Sequence, residues 1–216
     1  MQEADREGNL LFPVFLKMED LNLLIVGGGF IGMEKLSAVL KNSPATKITL
    51  VGITVSDEIK QFVSQYPNVT LAERAFLEAD LDEKDIVIAA TSDRSLNAYV
   101  KQEAKKRKVL SNIADTPDLC DFYLGSIVKK GDLKIAISTN GKSPTLAKRM
   151  RQFFEEHLPD STQMLLDNLT NIRNQIGGAF EEKVNRLNEI TSSFLSEKET
   201  KSTQDIADKA LDQEKK

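Results

Sequence analysis

An apolar run, Leu24-Ile25-Val26, ends in glycines spaced G-x-G-x-x-G at Gly27, Gly29 and Gly32, and a helical pattern begins at once. Few local features restrict a chain more, because that spacing suits a strand, a tight turn and a helix in that order. Gly27 permits the turn out of the strand, and Gly29 lets the main chain approach a pyrophosphate with no Cβ in the way. Gly32 allows the new helix to pack close to the sheet. The free N–H groups and positive end of the helix beginning near Gly29 then form a receptor for phosphate. Similar turns occur in methyltransferases and in proteins that bind nothing, so the surroundings matter. Leu21–Val26 has the character of a buried parallel strand, and Lys47–Val51 that of the next strand, one helix later.

Strand and helix patterns alternate as far as about Asn112, which predicts an α/β fold, a doubly wound parallel sheet of the Rossmann type. Strands are expected at Leu21–Val26, Lys47–Gly52, Thr70–Arg74, Ile86–Ala90 and Val109–Asn112. Helices are expected near Gly29–Lys41, Ser56–Tyr66 and Asp93–Lys106, the last capped by Ser92 or Asp93. The pattern then changes. Phe122–Val128 and Leu133–Ser138 read as two strands joined across Lys130-Gly131-Asp132, a hairpin rather than a crossover. Ser143-Pro144 reads as the N-cap and first residue of a helix running to about His157 and ended by Pro159. Beyond it Leu165, Leu169, Ile172, Ile176, Phe180, Val184, Leu187, Ile190 and Phe194 recur every three to four residues, a stripe suited to helix packing, with Gly177-Gly178 marking a break. The expected divisions are 1–112 for the nucleotide-binding domain, 113–142 for the hairpin segment, 143–195 for a helical domain and 196–216 for a charged, disordered tail.

A net charge of −4 and a pI near 5.3 argue against nucleic acid or an anionic membrane as the main partner. The basic run Lys105–Lys108 suits a helix C-terminus, where cations oppose the dipole. One cysteine, Cys120, excludes an internal disulfide, and with one histidine, His157, it makes a fixed zinc or iron centre unlike this composition. No apolar run approaches the ~18 residues of a membrane span. Met1–Asn9 lacks the basic start and apolar centre of a signal peptide, so a cytoplasmic location is expected.

Two further stretches carry candidate chemistry. Asn112-Ile113-Ala114-Asp115 leaves a carboxylate just past the C-terminal edge of a parallel strand, where ligands of such folds sit, although aspartate before Thr116-Pro117 is also an ordinary turn-former. Ser138-Thr139-Asn140-Gly141-Lys142-Ser143-Pro144 either caps the following helix or offers hydroxyls and amides to the carboxylates of an acidic ligand. Lys142, Lys148, Arg149 and Arg151 lie beside that helix start and either face such a ligand or form a solvated helix face. The cofactor is not decided by these residues. A fold selecting NAD commonly places an acid near the end of its second strand, and Leu50-Val51-Gly52-Ile53-Thr54 holds neither an acid nor an arginine.

Taken together, Leu11-Phe12-Pro13-Val14-Phe15, Val26-Gly27-Gly28-Gly29, Ala89-Ala90-Thr91, Asn112-Ile113-Ala114-Asp115 and Ser138 to Pro144 stand in an order that resembles the siroheme-synthase N-terminal family, the precorrin-2 dehydrogenase/sirohydrochlorin ferrochelatases. The resemblance covers roughly residues 10–160. It implies NAD-dependent oxidation of precorrin-2 to sirohydrochlorin, followed by Fe2+ insertion to give siroheme. It also implies a homodimer in which the segment from about Ile113 exchanges strands with its partner, while the methyltransferase domain of some relatives is expected to be absent from this chain. By the same resemblance the cofactor contacts fall on Phe30, Ile31, Ile53 and Thr54, with Thr91 and the glycines. Substrate contacts fall on Asn112, Ser138, Thr139, Asn140 and Ser143, and the essential aspartate falls on Asp115. Its implied role is proton handling, first as hydride leaves the macrocycle and then at the pyrrole nitrogens as metal enters. Relatives often carry alanine where this chain has Gly32, which reads as a harmless exchange, and some carry a phosphorylatable serine at the position of Thr139. Two alternatives remain: a dehydrogenase without chelatase activity, and a non-enzymatic NAD-responsive module.

Overall fold

Alternation along the first strand decides the architecture. In the computed structural model, which describes residues 8–177 and 180–191, β1 (Asn22–Val26) buries Leu23 and Ile25 on one face and Leu24 and Val26 on the other. A strand apolar on both faces needs helices on both sides of its sheet. Leu36, Val39 and Leu40 of α1 (Phe30–Asn42) and Ile59 of α2 (Asp57–Val63) cover the first face. Val100 and Ala104 of α3 (Arg94–Lys106) cover the second. The remaining strands are β2 (Lys47–Gly52), β3 (Val69–Glu73), β4 (Ile86–Ala89) and β5 (Leu110–Ile113). All pair in parallel in the order β3-β2-β1-β4-β5. Because the order reverses between β1 and β4, their C-terminal ends flank the crevice where ligands of open α/β sheets bind. The doubly wound sheet expected from the alternation is thus present.

The boundaries shift for identifiable reasons. After α2 the chain turns through i→i−3 bonds, Ser64 N to the Gln61 carbonyl at 3.4 Å and Tyr66 N to the Val63 carbonyl at 2.8 Å, so the helix stops short of Tyr66. Between β3 and β4 the crossover holds only a 3-10 turn, Glu78–Leu81. The hairpin strands are β6 (Ser126–Lys130) and β7 (Leu133–Ile137), joined through Gly131 at φ +61°. The first begins at Ser126 rather than Phe122, because 121–122 are bonded to β5 instead: Asp121 N donates to the Ser111 carbonyl at 2.8 Å and Asn112 Nδ2 to the Phe122 carbonyl at 2.8 Å.

Three helices follow, α4 (Pro144–His157), α5 (Thr162–Gln175) and α6 (Phe180–Thr191). Within the apolar stripe Leu165, Leu169, Ile172, Ile176 and Leu187 are half-buried, while Val184 and Ile190 are exposed. Gly178, Phe194 and the expected tail 196–216 lie outside the described residues. By contacts the chain divides into two units: the described residues through Ser126 with Ser138–Ala147, and Ile127–Ile137 with those from Lys148 onward.

Candidate active site

The glycine turn is built by exclusion of side chains. At Gly27, φ is +129° and a Cβ would stand 2.4 Å from the Ala90 carbonyl oxygen, so the turn presses against the end of β4. At Gly32 a Cβ would stand 2.0 Å from the Gly27 carbonyl oxygen. Alanine there is therefore not the harmless exchange expected from the resemblance, because backbone would have to move. At Gly29 nothing lies within 4 Å of the Cβ position, which opens to solvent. Gly29 is also the N-cap of α1 and brings no capping side chain, leaving the first-turn N–H groups for an outside acceptor. An open Gly29 beside uncapped amides is the cradle a pyrophosphate requires, so these residues fit a dinucleotide.

Gly28 carries a constraint the motif does not announce. A Cβ there would stand 2.2 Å from the Thr54 carbonyl oxygen, and the Gly28 carbonyl accepts from Ser56 N at 2.9 Å. The β2–α2 loop thus leans directly on the turn and brings Ile53 and Thr54 to it. Phe30 and Ile53 are exposed at 77% and 75%, two large apolar side chains on the elements that flank the cradle. Ile31 is half-buried against the core beneath α1.

Thr91 follows β4, and Asn97 of α3 holds it. Asn97 is buried, its Oδ1 accepts from Thr91 N at 3.3 Å and Thr91 Oγ1 at 2.7 Å, and its Nδ2 donates to the Thr91 carbonyl at 3.0 Å. Asp93 caps α3, accepting from Ser95 N and Leu96 N. Asn97 was invisible in the sequence, where it is one polar residue in a polar helix.

Asp115 sits in the turn after β5 at φ +56°, exposed and with no hydrogen bond or ion pair among the described residues. The loop that carries it is closed at its base. Asp121 Oδ2 accepts from Ser111 N at 2.9 Å and Ser111 Oγ at 2.7 Å, and Lys101 Nζ donates to Asp121 Oδ1 at 2.7 Å. Burial pushes the Asp121 carboxyl up, but the hydrogen bonds from Lys101 and Ser111 outweigh it and hold it below the ordinary carboxylate range. Inside the loop the Cys120 thiol accepts from Ile113 N at 3.2 Å. Asn112 is buried, its amide directed to the Phe122 carbonyl.

The 138–144 segment is a turn and a cap. Asn140 and Gly141 have φ of +53° and +75°, and Lys142 N donates to the Thr139 carbonyl at 3.0 Å. Thr139 Oγ1 accepts from Ser143 N at 3.2 Å, and Ser143 Oγ accepts from Leu146 N at 3.1 Å, opening α4. Ser138 Oγ accepts from Asn140 N and from Asn9 Nδ2. The hydroxyls are thus engaged locally, whereas Asn140 and Lys142 are exposed.

At the other corner of the sheet, Glu73 closes β3. Its carboxylate accepts from Val55 N at 3.1 Å and pairs with Lys60 at 2.9 Å. The Val55 amide first and Lys60 second hold this carboxyl below its usual range.

A reversed parallel sheet with this turn at its switch point defines a dinucleotide-binding α/β protein. Residues 14–126 match the family described as putative NAD(P)-binding, and residues 130–157 match that of the sirohaem biosynthesis protein, central. The chain belongs to the NAD(P)-binding family, and its likeness to the siroheme-synthase N-terminal region is borne out by its relatives. It is 31% identical over 174 residues to the siroheme synthase of Nitrosomonas europaea, covering 81% of this chain and 36% of that one. Against siroheme synthase 1 of Serratia proteamaculans it is 33% identical over 177 residues, covering 82% and 36%. The chain therefore spans just over a third of the length of these curated relatives. Among solved structures, SirC, a precorrin-2 dehydrogenase, superposes with a TM-score of 0.68 at 27% identity, covering 83% of this chain and 89% of that one.

Proposed function

We propose that this protein oxidises precorrin-2 to sirohydrochlorin with NAD+. The observation that carries the reading is Asp115: an unpartnered, exposed carboxylate held in left-handed backbone at the C-terminal end of β5, on the sheet edge where the glycine turn opens. The likeness to SirC over 89% of that chain supports the substrate.

Bound NAD+ supplies the hydride acceptor. The first-turn amides of α1 would hold its pyrophosphate across Gly29; Phe30, Ile53 and Thr54 would border the cofactor, with Ile31 packed beneath the turn, and Thr91 would stand at the β4 end of the crevice. Removing two hydrogens from the macrocycle releases one hydride and one proton, and Asp115 accepts the proton. An exposed carboxylate with no ion-pair partner among the described residues suits that role. The substrate lies over the loop that Asn112 braces, with Asn140 and the Ser138, Thr139 and Ser143 turn facing its carboxylates. Fe2+ enters as a second substrate; Asp115, exposed to water, passes its first proton to solvent and then takes the two displaced pyrrole protons in turn, handing each to water.

Of the described residues, those up to 112 would form the nucleotide domain, 113–142 the dimerising hairpin segment and those from 143 onward the helical domain of a cytoplasmic homodimer. Met150 and Phe153, exposed three residues apart on α4, support a self-association surface.

The test is an anaerobic absorbance time course of precorrin-2 with this protein and NAD+, adding Fe2+ once the spectrum settles. Formation of sirohydrochlorin and then enzyme-dependent metallation is the expected result. Conversion without accelerated metallation leaves a dehydrogenase alone, and no conversion with NAD+ or NADP+ overturns the reading.

A further inference from the structure

We propose that Glu73, delivered from β3, is the specificity residue for the cofactor's adenosine ribose, admitting a 2′-hydroxyl and rejecting a 2′-phosphate. The inference rests on the dinucleotide reading and deepens it. In folds of this class an acid at the end of the second strand accepts a hydrogen bond from the ribose. Here β2 ends in Gly52, and a Cβ at Gly52 would stand 2.7 Å from Gly28 N, so that position is barred from carrying any side chain at all. Its partner across the ladder is Glu73.

The Glu73 carboxylate reaches the same corner by another route. It accepts from Val55 N at 3.1 Å, and the Val55 Cα lies 2.9 Å from the place a Gly28 Cβ would take. The acid therefore stands one residue away from the backbone that leans on the phosphate turn. The surrounding charges point the same way. Asp57 and Glu58 are exposed at the start of α2, Lys60 is already paired with Glu73, and Arg74 is committed to Asp80 at 2.5 and 2.8 Å. A 2′-phosphate carrying about −1.5 to −2 charges would meet the Glu73 carboxylate with its own cation, Lys60, already engaged. Discrimination of this kind is a repulsion built against the wrong ligand rather than an added attraction to the right one.

The experiment is isothermal titration of the full chain with NAD+ and with NADP+, for wild type and Glu73→Gln. Glutamine can still accept from Val55 N, so the charge is removed with the loop bond retained. Wild type is expected to bind NAD+ about tenfold or more tighter than NADP+. In Glu73→Gln the NADP+ affinity should rise and that ratio collapse by about tenfold. Equal wild-type affinities, or an unchanged ratio in the variant, overturn the proposal while leaving the dinucleotide reading standing. Wild type binding neither nucleotide overturns both. Should Glu73→Gln fail to fold, Lys60→Ala serves: exposing the full charge of Glu73 must widen the ratio, and a ratio that stays or narrows overturns the assignment.

Discussion

Ser111 and Asp121 are joined by three hydrogen bonds: the Asp121 N–H donates to the Ser111 carbonyl at 2.8 Å, and the Asp121 carboxylate accepts both the Ser111 N–H at 2.9 Å and its hydroxyl at 2.7 Å. Ser111 is fully buried, so its two donors have no water to fall back on. Asp121→Ala leaves both unsatisfied and is expected to cost about 2 kcal/mol, read as a lower urea midpoint with unchanged slope. Asp121 also predicts a pH dependence. Its folded-state carboxyl titrates below the unfolded value, so its contribution is complete above about pH 4 and is lost as the pH falls through the lower folded value. Wild type should therefore lose stability more steeply than Asp121→Asn in that acid range, and parallel curves from urea titrations at each pH would remove Asp121 from the account.

Two glycines of one motif should fail in opposite ways. A Cβ on Gly29 meets nothing within 4 Å, whereas one on Gly32 meets the Gly27 carbonyl oxygen at 2.0 Å. Gly29→Ala is expected to keep the urea midpoint and weaken dinucleotide binding about tenfold or more, since the methyl stands where the pyrophosphate must approach. Gly32→Ala forces backbone apart at an expected net cost of about 1–3 kcal/mol, the helix preference for alanine offsetting only part of it. Calorimetric titration beside urea unfolding separates the two, and a Gly32→Ala variant as stable as wild type would show that the turn yields.

Asn97 offers three hydrogen bonds to the backbone and hydroxyl of Thr91 from a buried site. Asn97→Leu keeps the branching of the side chain but strands the Thr91 groups, with an expected loss of about 1–3 kcal/mol. Hydrogen exchange should show faster opening of the Thr91 amide than of the β4 core, and equal protection in variant and wild type would argue that the loop is held elsewhere.

How much of this was legible beforehand follows from the range of each interaction. Periodicity is local, so β1, β2, β4, α1 and α3 stand within one or two residues of expectation, and the glycines told where the turn would be because their constraint is backbone geometry. Asn97 is hidden because its partner is six residues away across a loop, and Gly28 because its neighbour, Thr54, comes from the β2–α2 loop. Glu73 is hidden for a related reason: the fold's pattern places the acid on β2, while parallel pairing in register with Gly52 brings it from β3. The first hairpin strand was drawn too early because Phe122 is apolar, and nothing in its composition tells that its carbonyl is taken by Asn112.

The two readings of Asp115 part over one substitution. A left-handed residue with a Cβ stores strain that glycine relieves, so Asp115→Gly is expected to leave stability unchanged or raise it by up to about 1 kcal/mol, its extra unfolded-chain freedom offsetting some of the gain. Asp115→Asn tolerates the same backbone and removes only the charge, so its stability should match wild type within about 0.5 kcal/mol. If the carboxylate accepts the proton, both variants bind NAD+ with wild-type affinity and lose precorrin-2 turnover, and the loss appears in kcat rather than in nucleotide binding. A stable Asp115→Gly protein that still turns over would leave Asp115 a turn-former and nothing more.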